Sequence, residues 1–132
     1  MNLFFGDSLT AGENNNDISF VDYVRGNTMN LGISGTTIGE YSIYPVDGNS
    51  LLGVISRYQN AIKHADKIFL EYGCNDVAAI MCGFATIQTV TVSLVKAIDW
   101  IRQLNPFCKI YFLALGDEGA ISTFAGNECY YL

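Results

Sequence analysis

The chain predicts an α/β fold, a parallel sheet with helices on both faces, and three features of its 132 residues carry that prediction. Apolar runs and amphipathic stripes alternate in the order strand, helix, strand, helix, strand, helix, strand. The run from Lys67 to Tyr72 barely alternates, as befits a central strand buried on both sides. Glycine-rich turns bearing polar side chains follow the strands, at the edge where such sheets bind ligands.

The elements follow in order. Leu3-Phe4-Phe5 reads as a short buried strand. Asp17 is then placed to cap a helix with Ile18, Val21 and Val24 on one side, closed by Gly26. Met29 to Gly32 predicts strand two. A loop rich in Gly, Tyr and Ser (Gly39 to Asn49) leads to Ser50, an N-cap for a helix whose inner face is Leu51, Val54, Ile55, Tyr58 and Ile62. Lys67 to Tyr72 is strand three. The longest helix has the stripe Ile87, Val90, Leu94, Ile98 and Ile101, and Pro106 stops it after Leu104-Asn105. Lys109 to Leu115 is strand four, and Gly116-Asp117-Glu118-Gly119 is a turn.

Length and composition set limits. The size is that of one domain, residues 1–132, and with half of its residues apolar and 15% charged the chain is not disordered. A net charge of −6, with seven scattered basic residues, argues against nucleic acid or an anionic membrane as partner and leaves small neutral molecules. No run approaches the roughly 18 apolar residues of a membrane span, and no basic segment precedes an apolar one at the start, so the expected location is cytoplasmic. Cys74, Cys82, Cys108 and Cys129 show neither CxxC nor metal-ligand spacing; free thiols, no metal and no cofactor are the expectation.

Chemistry concentrates in three blocks. Gly6-Asp7-Ser8-Leu9 directly follows strand one, where a tight turn lifts a serine hydroxyl clear of the sheet. Asn30-Leu31-Gly32-Ile33-Ser34-Gly35 spans the end of strand two, and Gly73-Cys74-Asn75-Asp76 follows strand three. All three are expected at one edge of the sheet.

With these blocks the chain resembles the GDSL, or SGNH, family of serine esterases and lipases. The resemblance extends over nearly the whole chain, and it is specific because the blocks stand in this order, each at its own strand end. It implies a flavodoxin-like three-layer α/β/α sheet and a small-molecule ester substrate. It also implies that Ser8 is the nucleophile, and that the backbone N–H groups of Ser8 and Gly35 and the side-chain amide of Asn75 form an oxyanion hole. Neutral donors fixed at the developing charge suit that role. Glycine at 35 admits close approach of backbone, and asparagine at 75 donates without a charge.

The family's general base lies in an Asp-x-x-His motif after a fifth strand, and these residues contain none, so the fold is expected to be truncated after about four strands. The one histidine, His64, ends the second helix and belongs at the amino edge, roughly 20 Å from Ser8 across a six-residue strand. It is expected to stabilise the end of its own helix. The chain is thus either part of a longer product, or completed by another chain, or a non-catalytic binding or assembly module that keeps the oxyanion pocket.

Other residues have structural readings. Asp7 is not the triad acid in this family and is expected to accept backbone N–H groups in its turn, and Asp76 to cap the following helix. Glu71 sits inside strand three, where some family members also place an acid, and needs a buried partner such as Arg57 or backbone donors. The apolar segment from Val77 to Phe84 is either the wall of an acyl pocket or a short buried helix or subunit contact. Tyr41 and Tyr44 stand where they can line the opposite rim. With strand four at an edge, Ile110, Phe112 and Leu115 lose cover, and a second copy or a partner chain is expected there.

Overall fold

Neighbouring side chains of a strand point to opposite faces, and in Asn2–Gly6 (β1) that alternation separates Leu3 and Phe5 from Phe4 and so sets the layering. The computed structural model describes residues 1–13, 15–40 and 49–113, together with the backbone of Ile121–Phe124 and Asn127–Tyr130. β1 pairs in parallel with Thr28–Asn30 (β2) on one side and with Lys67–Glu71 (β3) on the other, and Lys109–Phe112 (β4) extends the sheet beyond β3. The order is β2-β1-β3-β4 and every pairing is parallel, an α/β arrangement compatible with a flavodoxin-like fold.

That order dictates which face each connection covers. The path from β1 to β2 steps one way across the sheet, and the paths to β3 and β4 step the other way. Right-handed crossovers therefore put the first connection on one face and the later helices on the opposite one. Leu51–Arg57 (α2), Gln59–Lys63 (α3) and Ile87–Leu104 (α5) share one face with Leu3, Phe5, Ile68 and Leu70. Val54, Ile55, Ile62, Ala97 and Ile101 are fully buried in that core. On the other face Phe4, Phe69 and Tyr111 stack across three strands, with ring centroids 4.5 and 5.0 Å apart, and Phe20 meets Phe4 edge-on.

The layer over this aromatic face differs from expectation. In place of a helix from Asp17 to Gly26 there is a 3-10 turn, Phe20–Tyr23. Asp17 does not cap it, because Asn16 and Asp17 both lie in the left-handed region, at φ 54° and 59°. Ser19 caps instead: its hydroxyl accepts from Val21 N–H, and the Asp22 carboxylate accepts from Ser19 N–H at 2.7 Å. Of the supposed stripe only Val21 is buried, and Ile18 is 44% exposed.

The other elements depart less. The helix after Ser50 forms with its predicted cap, the Ser50 hydroxyl accepting from Gly53 N–H at 3.2 Å, but it breaks at Tyr58 into α2 and α3. The break sets the Tyr58 ring edge-on to Phe5. Strand two ends at Asn30, although Leu31 N–H and Ile33 N–H still donate to Phe4 and Gly6 carbonyls at 2.8 and 2.9 Å. Cys74–Met81 is a helix (α4) with Ala78 and Ala79 buried.

Where α5 stops, Asn105 ties three segments together. Its amide donates to the carbonyls of Ile62 and Ala65 at 2.8 and 2.9 Å, and its oxygen accepts from Phe107 and Cys108 N–H at 3.1 Å. β4 is an edge of the four-stranded sheet, and Phe112 on it is 45% exposed. Beyond it the backbone of Ile121–Phe124 (β5) pairs antiparallel with Asn127–Tyr130 (β6), a ladder the pattern had not indicated. Leu115, the turn at 116–119, Tyr41 and Tyr44 lie outside the described residues, as does the Cys129 side chain. Cys108 is a free thiol, and among the described residues no helix is long and apolar enough to cross a membrane.

Truncating Leu70 to Ala, at the centre of the buried face, is expected to cost about 2–5 kcal/mol of unfolding free energy. Phe107→Ala, at a side chain 93% exposed, is expected to stay within about 0.5 kcal/mol. Urea titrations of the two variants check both values.

Candidate functional site

Gly6 ends β1 because nothing larger fits. A Cβ there would lie 2.0 Å from the Thr10 hydroxyl and 2.9 Å from the Glu71 carbonyl, so only glycine lets the chain fold straight back on itself. Ser8–Ala11 (α1) begins one residue after Asp7, whose Oδ1 accepts from Leu9 N–H at 3.0 Å. That is the structural role expected of Asp7. Ser8 is the first residue of α1, half-buried at the carboxyl edge of the sheet, and its hydroxyl makes no hydrogen bond among the described residues.

The second block wraps around this helix. Asn30 donates from its amide to the Thr10 carbonyl at 2.7 Å and accepts from Gly32 N–H at 2.9 Å. Gly32 passes so close that a Cβ would meet Ala11 N at 2.5 Å. Gly35 then turns through a left-handed conformation, φ 79°, of the kind that favours glycine. Thr36 closes the turn, its hydroxyl donating to the Ile33 carbonyl at 2.6 Å.

The third block grips the same loop from the other side. The Asn75 amide donates to the Thr36 carbonyl at 3.1 Å, which commits one of its two N–H groups. Asp76 was expected to cap its own helix. Instead its carboxylate accepts from Ile38 N–H and Gly39 N–H, at 2.9 and 3.1 Å, because α4 starts beside a loop whose donors have no strand to pair with. Gly6 carbonyl to Ile33 N–H, and Asn75 amide to Thr36 carbonyl, thus connect all three blocks at one edge. Ser8 and Asn75 follow adjacent strands, β1 and β3, at the point where the direction of the connections reverses.

Beneath Ser8 lie two buried acids. Glu71 accepts from the Thr10 hydroxyl at 2.9 Å, so its expected partner Arg57 is displaced. Among the described residues Arg57, the last residue of α2, reaches only the Asn49 side chain, at 2.5 Å and in solvent. Burial, and after it the charge of Asp7, pushes the Glu71 carboxyl up to about 8. Burial likewise raises Asp7.

His64 lies where its position in the chain put it. Its Nδ1 is 2.9 Å from the Asn60 carbonyl at the end of α3, and the next residues lead into the amino end of β3. The five residues of β3 put it roughly 17 Å from the opposite edge.

A cleft of about 410 Å³ opens at Ser8. Leu9, Ile18, Phe20 and Tyr23 supply its apolar lining, with Glu13 and Asn15 among the polar groups. Sequence reasoning missed Phe20 and Tyr23 and misread Ile18: Ile18, Val21 and Val24 were read as one side of a helix, whereas the left-handed pair before them replaces that helix with a short turn beside Ser8. Neither Gly35 nor Asn75 lines this cleft, and neither does the segment from Val77 to Phe84, most of which is helix α4. Among the described residues no group of His, Cys, Asp and Glu is placed to hold a metal ion.

No family model matches the chain, and no curated protein matches it. The functional argument therefore stands on geometry.

Asp76→Ala leaves the Ile38 and Gly39 N–H groups buried without an acceptor and is expected to cost about 1–3 kcal/mol in urea unfolding. Asp76→Asn, which retains one acceptor oxygen, is expected to lose less.

Proposed function

We propose that this chain carries the nucleophile and oxyanion hole of a serine ester hydrolase of the GDSL or SGNH type, built on a flavodoxin-like three-layer sheet. The observation that carries the reading is the Ser8 hydroxyl, free of hydrogen bonds among the described residues, beside the reversal point of a parallel sheet, with the Gly35 loop tied to β1 through Ile33 and to α4 through Asn75.

In this reading the Ser8 oxygen attacks the ester carbonyl carbon and its proton passes to a general base. The carbonyl oxygen becomes an oxyanion, received by the N–H groups of Ser8 and Gly35 and by the remaining N–H of Asn75. Each such donor is worth about 3–4 kcal/mol of the barrier. The bond to the alcohol oxygen then breaks as the base returns the proton to it, and water releases the acid from acylated Ser8. The cleft beside Ser8, lined by Leu9, Ile18, Phe20 and Tyr23 but not by Gly35 or Asn75, suits a small hydrocarbon part of the ester.

One observation favours a second reading, a binding or assembly module that keeps the pocket without turning over. The chain's single histidine lies against the Asn60 carbonyl at the far edge of the sheet, so His64 does not supply a base to Ser8. A fluorophosphonate probe and imidazole separate the readings. For a hydrolase, Ser8 is labelled, imidazole accelerates p-nitrophenyl acetate turnover beyond its own background, and Ser8→Ala abolishes both. Absence of labelling at every pH, with no imidazole response, assigns the module. Asn75→Ala is expected to lower the labelling rate roughly 100-fold or more.

A further inference from the structure

The last residue of β1 stands in register with the last residue of β3, Gly6 opposite Glu71, so the acid that follows β1 meets the acid that ends β3. Asp7 is 1% exposed and Glu71 7%. Each carboxyl has one oxygen satisfied, Asp7 Oδ1 by Leu9 N–H and Glu71 Oε1 by the Thr10 hydroxyl. The other two, Asp7 Oδ2 and Glu71 Oε2, are buried without a donor among the described residues, and each carboxyl acts on the other.

Two carboxylates so placed repel, and each leaves an oxygen unsatisfied at a cost. A single proton between them removes the repulsion and satisfies both oxygens. Among the described residues the titratable groups facing the pair are the Asp76 carboxylate from α4, which acts on Asp7, and the hydroxyl of Tyr72, the residue after β3, which burial keeps protonated and which finds no hydrogen-bond partner. No lysine, arginine or histidine among the described residues acts on either carboxyl.

We propose that Asp7 and Glu71 hold one shared proton, and that this protonated pair is a positioning device, clamping α1 against β3 so that Ser8 is presented at the sheet edge. The part concerning Ser8 rests on its reading as nucleophile; the shared proton does not. Asp7 is the residue before Ser8 and caps its helix, and Thr10 of the same helix holds Glu71, so the pair grips α1 at two points.

The sign of the pH dependence follows. Glu71 keeps its proton in the folded state up to about 8, against 4.5 in the absence of the fold, so the folded state binds more protons between those values. Its contribution to stability is fully present below the lower value, declines as pH rises through the window, and is flat above it. Above the window the pair carries two charges, and the clamp on α1 opens.

The test uses the intact chain, Glu71→Gln, and Asp7→Asn as a second variant that keeps an acceptor for Leu9 N–H while donating to Glu71. Infrared spectroscopy is expected to show a protonated carboxyl band at neutral pH that disappears at pH about 9 and in Glu71→Gln. The melting temperature of the unmodified chain is expected to fall from pH about 5 to about 9 more steeply than that of either variant. Fluorophosphonate labelling of Ser8 is expected to drop about tenfold between pH 7 and 9 relative to Glu71→Gln, following the protonated fraction. Absence of the band at neutral pH, or equal melting slopes, overturns the shared proton. Equal labelling profiles with the band present overturn the positioning role. Absence of labelling in every protein at every pH removes the nucleophile reading, while band and melting slopes still decide the proton. Should Glu71→Gln fail to fold, Asp7→Asn decides the same comparisons.

Discussion

The close passage of backbone at the end of β1 governs most of what surrounds it. Gly6 has Thr10 above it and the Glu71 carbonyl beside it, with no space for a methyl group, so α1 must start at once and fold back over the strand it left. That return places Ser8 at the edge, brings Thr10 onto Glu71, and leaves a groove into which Gly32 can fit against Ala11. A side chain at 6 or 32 would separate the turn that carries Ser8 from its neighbours before any chemistry was considered.

Polar groups then do locally what a sheet does elsewhere. The loop from Ile33 to Gly39 has no strand partner along most of its length, and its donors and acceptors are met by Gly6, Asn75 and Asp76. Buried backbone groups need such partners, so the residues that present Asn75 at the site also hold the loop that carries Gly35. The same economy explains the two acids: one oxygen of each supports α1, through Leu9 N–H and the Thr10 hydroxyl.

The two faces of the sheet are unequal. Right-handed connections send α2, α3 and α5 to the Leu3 and Phe5 side, where the core is fully enclosed. The opposite side is an aromatic ladder, Phe4, Phe69 and Tyr111, with the short turn at Phe20–Tyr23 resting on its first ring. The three-layer expectation therefore holds in full on one face only among the described residues. A short polar stretch with two left-handed residues cannot sustain the helix that a three-residue apolar spacing suggested there.

What the amino-acid order determined by itself was whatever depends on near neighbours: the four parallel strands, the Ser50 cap, the stop at Asn105-Pro106, the Asp7 turn and the position of Ser8 at its strand end. Each of these is decided within a few residues by periodicity, capping or glycine, and so it leaves a mark in the text of the chain. Tertiary structure decided the partners. That Asp76 holds Ile38 and Gly39, that Asn105 binds Ile62 and Ala65, and that Thr10 rather than Arg57 meets Glu71 depends on which strand lies beside which. A hydrogen bond between segments far apart in sequence has no period and no spacing, and only the lateral order of the strands brings its two ends together.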